Sequence, residues 1–265
     1  MAALAIGGHG DQTDPVAEAV ARQATLAQFF LGDPQAWKGP EFACEGGPAA
    51  LKAAAEQAGI ALYVHAPYVL NVATTNNRIR IPSRKFLQQY LDAAAQIGAA
   101  GVIVHGGHVG KTDDPETGFD NWRKCIEGLE MPVPLLIENT AGGDNAMARR
   151  LERIERLWAA VGRASGGDTV GFCLDTCHAH AGGEELVGLV AEVRGITGRI
   201  DLVHANDSRD AFDSGADRHA NLGAGQVDGE ALVEVVRQAG VPVVVETPGG
   251  REGQSKDIAW LQERI

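Results

Sequence analysis

Long apolar runs are missing from this chain of 265 residues. No stretch approaches the ~18 residues a membrane span requires, so no membrane association is expected. Basic residues are also in short supply: 23 Lys and Arg stand against 35 Asp and Glu, for a formal net charge of −12. Phosphate binding needs clustered cations, so this balance argues against nonspecific affinity for nucleic acid. It leaves open a polyanion bound through metal ions and a local basic rim. Aromatics make up only 5% of the residues, so the core must be mostly Ala, Val, Leu and Ile. Four cysteines, at 44, 125, 173 and 177, are too few for a disulfide scaffold in a chain of this length. The opening "MAALAIGGHG" lacks the basic and long apolar regions of a secretory signal. A reduced, cytoplasmic compartment is expected.

What is present is a recurring unit: a short apolar run that ends in a polar residue, followed by a helical pattern. The runs are "ALAIGGH" (3–9), "LAQFFLGD" (26–33), "ALYVH" (61–65), "GVIVH" (101–105), "PLLIEN" (134–139), "GFCLD" (171–175), "IDLVHAND" (200–207) and "PVVVE" (242–246). Continuous Val/Ile/Leu runs suit parallel strands buried on both faces. Helices are expected between them. One begins around Thr13, Asp14 and Pro15, one opens at Ser83 and stops at Gly98, one lies between Asp228 and Gly240, and a last one runs near 257–264. Eight strands alternating with helices read as a single-domain (β/α)8 barrel over residues 1–265. The main alternative is an open doubly wound sheet, disfavoured because no G-x-G-x-x-G follows the first run.

In such a barrel the C-terminal strand ends converge on one face. The run ends are His9, Asp33, His65, His105, Glu138, Asp175, His204 and Glu246, and later loops add His178, Asp217 and His219. His108 and His180 lie just past two of the same ends, so all eight histidines fall on one face. So many imidazoles and carboxylates would suffer desolvation and mutual repulsion if nothing offset them. Imidazole with carboxylate suits Zn, or less selectively Mn or Fe, and the donors are too many for one tetrahedral ion. Within "CLDTCHAHAGG" (173–183) Asp175 and His178 read as ligands, whereas Cys173 and Cys177 read as small packing residues.

These motifs, in order and approximate spacing, resemble the endonuclease IV family of zinc-dependent apurinic/apyrimidinic endonucleases. The likeness runs from "QFFLGDPQAW" through "VHAPYVLNVA", "VIVHGGH", "LLIENTAGG", "CLDTCHAHAGG" and "HANDSRDAFDSGADRHANLGAG" to "VVVETPG". It implies three Zn2+ per chain, with Mn2+ in part. His65 and His105 resemble ligands of the first ion, and Glu138 resembles a bridge to the second. Asp175, His204 and Glu246 resemble the remaining ligands of the second ion, and His178, Asp217 and His219 those of the third. The resemblance further implies hydrolysis of the phosphodiester bond 5′ to an abasic site in double-stranded DNA, with Glu138 and Glu246 in catalytic roles and the protein a monomer. Tyr68 and Val69 resemble a loop that enters the duplex. Gln35 and Arg218 fall at expected DNA contacts, with Arg78, Arg80, Arg84, Lys85 and Arg209 as a basic rim. The chain departs from better-known members at Asp33 and Gln35, where those carry Asn and Arg. Its loop after His180, "AGGEEL", is short and acidic.

Two rival functions share this pattern. Glu138, Asp175, His204 and Glu246 also form the single-metal set of sugar isomerases and epimerases, which need none of His65, His105, His178, Asp217 or His219 as ligands. The other rival is a metal-stabilised barrel that binds damaged DNA without cleaving it.

Overall fold

The computed structural model describes residues 4–143 and 145–265. Eight parallel strands close into a barrel: β1 (Ile6–His9), β2 (Leu26–Phe30), β3 (Ala61–His65), β4 (Gly101–His105), β5 (Leu135–Glu138), β6 (Gly171–Asp175), β7 (Leu202–His204) and β10 (Val243–Val245). The ring follows chain order, and β1 pairs with both β2 and β10 to close it. Two short segments, β8 (Asp207–Ser208) and β9 (His219–Ala220), form an antiparallel ribbon outside the barrel.

Helices connect the strands: α1 (Pro15–Ala21), α2 (Gly47–Ala58), α3 (Asn77–Gln96), α4 (Pro115–Ile126), α5 (Leu151–Val161), α6 (Thr176–Gly182), α7 (Leu189–Thr197), α8 (Gly229–Ala239) and α9 (Gly250–Gln262). Local chemistry sets their ends. Asp14, Asn76, Asp114, Asp175 and Asp228 each accept a first-turn backbone N–H. Gly240 ends α8 in the left-handed region that other residues avoid. Helix α8 turns Leu232, Val233, Val235 and Val236 onto the barrel wall. Each such side chain contributes roughly 1.5–3 kcal/mol when buried.

Apolar packing forms two layers. One lies between the strands and the helices. The other fills the barrel bore and takes one side chain from each of seven strands: Leu26, Tyr63, Ile103, Leu136, Cys173, Leu202 and Val244. Strand side chains alternate faces with period two. The residues two further along therefore also point into the bore, one layer nearer the C-terminal mouth. They are Gln28, His65, His105, Glu138, Asp175, His204 and Glu246, so the bore plug fixes where the polar layer sits.

Several sequence expectations need correction. The run 26–33 is strand only to Phe30, and Asp33 is an exposed loop residue whose carboxylate accepts the Gln35 N–H at 2.9 Å. The run 200–207 divides between β7 and the start of the ribbon. Helix α3 begins six residues before Ser83, because Asn76 caps it and Pro82 is carried inside the helix. Ser83 is buried instead, donating to the Ile79 carbonyl at 2.7 Å and accepting the Asn71 N–H at 2.9 Å. The last helix likewise starts at Gly250, well before 257.

Candidate metal centre

Glu138 is fully buried at the end of β5, and its carboxylate is surrounded by imidazoles. Oε2 lies 3.2 Å from His65 Nε2 and 3.4 Å from His105 Nε2. Oε1 lies 3.0 Å from His204 Nδ1 and 3.2 Å from His178 Nδ1. His204 Nδ1 in turn stands 3.3 Å from Glu246 Oε2 and 3.9 Å from Asp175 Oδ2. Asp175 does two jobs from one carboxylate: Oδ1 caps α6 through the His178 N–H at 2.7 Å, and Oδ2 faces the cluster. That cap starts the helix which places His178 one turn further on.

The remaining donors come from the ribbon connection. Asp217 Oδ1 lies 3.1 Å from His178 Nε2 and 3.2 Å from His219 Nε2. The loop carrying Asp217 is tied down by the Asp213 N–H to His180 O at 3.0 Å and the Gly215 N–H to Ala181 O at 2.8 Å. Arg149 and Arg150 both pair with the Asp213 carboxylate. A side chain at Gly142 would come within 2.4 Å of the Gly215 carbonyl, so this closure requires glycine there.

The donor atoms fall into three sets, each within 4.8 Å: His65, His105 and Glu138; Glu138, Asp175, His204 and Glu246; and His178, Asp217 and His219. Glu138 is common to the first two. Cys177 also comes within that distance of Asp175 and His219. Burial pushes its thiol up to about 12, with Asp175 adding to the effect, so it stays protonated near neutral pH. The sets fit divalent ions. Nε2 of His178 and of His219 are buried nitrogens without a hydrogen-bond partner among the described residues, although both face Asp217. Such orphaned atoms are uncommon unless something else binds them.

The electrostatics are those of a site built for cations. Burial alone would raise the Glu138 carboxyl, but His204, His105 and His178 hold it well below the usual range. Burial opposes charge on His178 too, yet Asp175 and Asp217 raise it well above 6.5. For His219 burial is again outweighed, and the facing Asp217 carboxylate with the charge of Asp175 raises it to about 9. His105 goes the other way, to about 4, because burial dominates. Above the cluster opens a cavity of about 380 Å³, lined by His65, Tyr68, His105, His178, Arg209, Asp217, His219, Glu246 and Pro248.

A family model described as a xylose isomerase-like TIM barrel matches residues 17–264. The probable endonuclease 4 of Mycobacterium marinum is 54% identical over 262 residues, covering 99% of both chains. The chain belongs to the endonuclease IV family. The crystal structure of endonuclease IV from Thermus thermophilus superimposes with a TM-score of 0.82 at 30% identity, covering 98% of this chain and 99% of that one. A D-tagatose 3-epimerase-like protein reaches a TM-score of 0.78 at 17% identity, covering 98% and 97%, a likeness of fold alone.

All nine donors expected from the likeness to endonuclease IV lie within this cluster. The residues expected to touch DNA are more scattered. Tyr68 is 52% exposed at the cavity mouth. Its ring stacks on His105 at 5.7 Å and meets Phe30 and His65 edge-on at 5.2 and 5.6 Å. Val69 is half-buried and leans on the core, while Gln35 is exposed beyond β2. Arg218 is exposed and paired with Asp210, and it does not line the cavity. Two members of the expected basic rim are turned inward, Arg80 onto the Thr74 carbonyl and Arg84 onto that of Asn121. Long guanidinium side chains satisfy buried carbonyls as readily as they meet phosphate. Arg209 is the cation that lines the cavity, its Nε donating to His219 O at 2.8 Å.

Three buried amides were not anticipated. Asn206 donates to Asp175 Oδ2 at 2.7 Å and accepts the Glu246 N–H at 2.8 Å. Asn139 accepts the Asp175 N–H at 2.7 Å and donates to its carbonyl at 2.9 Å. Gln28 is the third, and its place in the polar layer follows from the register of Leu26. A polar residue in the middle of the apolar run "LAQFF" was the available signal.

Proposed function

We propose that this chain is a DNA-repair endonuclease that hydrolyses the phosphodiester bond 5′ to an abasic site in double-stranded DNA, with three zinc ions. The products would be a 3′ hydroxyl and a 5′ deoxyribose phosphate. The observation that carries this is the third donor set, His178, Asp217 and His219, beside two sets that share Glu138. An isomerase of the same barrel type would need only Glu138, Asp175, His204 and Glu246.

His65, His105 and Glu138 would hold one ion; Glu138, Asp175, His204 and Glu246 a second; and His178, Asp217 and His219 a third. When bound, the ions would acidify water near neutral pH and offset charge on the phosphoryl oxygens. The protein's own groups do the rest. Glu246, at the cavity wall, would accept a proton at its carboxylate. Arg209 would meet a phosphate oxygen as a fixed cation, partly correcting the chain's acidic balance where it matters. Tyr68, held by three rings with half its surface free, would enter the duplex where a missing base leaves the least stacking to break.

The test is single-turnover cleavage of a duplex carrying one abasic site, with and without chelator, followed by analysis of the new ends. The proposal requires chelator-sensitive cleavage that leaves a 3′ hydroxyl. An intact abasic strand with fully metallated protein would reject it.

A further inference from the structure

Four of the clustered imidazoles present Nε2 to the neighbouring carboxylates. Three of these four have Nδ1 facing a backbone carbonyl: His65 at Ala66 O (2.7 Å), His178 at Asn139 O (2.9 Å) and His219 at Glu246 O (3.3 Å), although His178 Nδ1 also lies 3.2 Å from Glu138 Oε1. His105 likewise offers Nε2 to Glu138. His204 is reversed. Its Nδ1 faces Glu138 and Glu246, while Nε2 points away toward the side chain of Gln28 at 2.8 Å.

The amide of Gln28 can be oriented by elimination. Glu246 Oε1 lies 2.6 Å from one of its terminal atoms, and an ionised carboxylate only accepts. That atom is therefore the NH2 group, whose second hydrogen faces His9 Nδ1 at 2.9 Å. The other terminal atom is the carbonyl oxygen, which also only accepts. His204 Nε2, 2.8 Å from it, must carry the ring proton. A neutral His204 then has its lone pair on Nδ1, among Glu138, Asp175 and Glu246. Gln28 is wholly buried and has no freedom to turn over without setting oxygen against carboxylate.

We infer that Gln28 is a positioning residue for the centre: it fixes the tautomer and ring orientation of His204 and, by holding Glu246 Oε1, leaves Glu246 Oε2 toward His204 Nδ1. The inference rests on the metal-ion reading above. A partner in this position holds a ligand in its binding geometry before the ion arrives, and losing one typically weakens metal binding about 10–100-fold.

The test uses zinc-loaded, full-length protein labelled with 15N in histidine. In the wild type, His204 should show a metal-bound Nδ1 and a protonated Nε2. Gln28→Leu should weaken one zinc about 10–100-fold, leave the others near wild type, and release the His204 tautomer. Gln28→Glu, which keeps an acceptor for Nε2 but opposes Glu246, should restore the Nε2–H signal without restoring full affinity. Zinc on Nε2 of His204 in the wild type overturns the inference, as does unaltered affinity for every ion in Gln28→Leu. Should Gln28→Leu not fold, the wild-type spectrum and Gln28→Glu decide alone. A wild type that holds one zinc instead of three rejects the trinuclear reading, while the His204 spectrum still answers for Gln28.

Discussion

Asp217→Ala separates the endonuclease reading from a single-metal barrel enzyme. Asp217 reaches both His178 Nε2 and His219 Nε2 through one oxygen, at 3.1 and 3.2 Å. It is the one carboxylate of its donor set, so its loss leaves two imidazoles, too few to retain an ion against free chelator. Zinc content should fall from about three to about two per chain. An ion held by that set would offset developing negative charge as a fixed donor does, so turnover should fall on the order of 10²–10³-fold. Stability should fall with the lost ion and the lost counter-charge to His178 and His219, but the fold should persist, because Asp217 sits in a loop with half its side chain exposed and lies outside both apolar layers. DNA binding should weaken less than turnover, since Tyr68 and Arg209 are untouched. The assay pairs elemental analysis with single-turnover cleavage of an abasic duplex. Unchanged metal content and unchanged cleavage together would refute the reasoning.

Other predictions follow from the same geometry. Glu138→Gln should weaken two ions together and reduce cleavage by orders of magnitude with the barrel still folded; near-normal turnover would place the chemistry elsewhere. All four cysteines are free, and burial pushes Cys125, Cys173 and Cys177 up to about 12. A thiol reagent at pH 8 should therefore find at most Cys44 reactive in native protein and all four after denaturation. The double change Cys173→Ala with Cys177→Ala should lower stability on the order of 1 kcal/mol per site and keep all the metal. Loss of one equivalent would make Cys177 a ligand. His178 and His204 lie well above their ordinary 6.5 and His219 at about 9, so neighbouring carboxylates favour the protonated form of all three rings in metal-free protein. Zinc needs them neutral, so uptake should release protons, and affinity should climb as pH rises from 7 toward 9. Calorimetry in buffers of different ionisation enthalpy reads this directly, and a buffer-independent heat would contradict it.

The candidate ligands were legible because the strands bring them together. Each of His65, His105, Glu138, Asp175, His204 and Glu246 ends or just follows a continuous apolar run, and a parallel barrel carries all such positions to one mouth. His178 was legible from its spacing to Asp175, one helical turn. What sequence did not convey depends on side chains whose roles are set by neighbours distant in the chain. Gln28 is not a ligand type, and its importance comes from His204 and Glu246, 176 and 218 residues away. Arg80 and Arg84 read as surface charge, yet loop carbonyls that only folding brings near claim them. The helix was expected to open at Ser83, but the Asn76 cap starts it earlier and the buried Ser83 ties its turns to Asn71.

Three cations are proposed, two of them sharing the Glu138 carboxylate. Anomalous diffraction at the zinc edge, from protein purified without added metal and then loaded with zinc, tests this most directly. Three peaks are predicted, two flanking Glu138 and one among His178, Asp217 and His219. A single peak among Glu138, Asp175, His204 and Glu246 would contradict it.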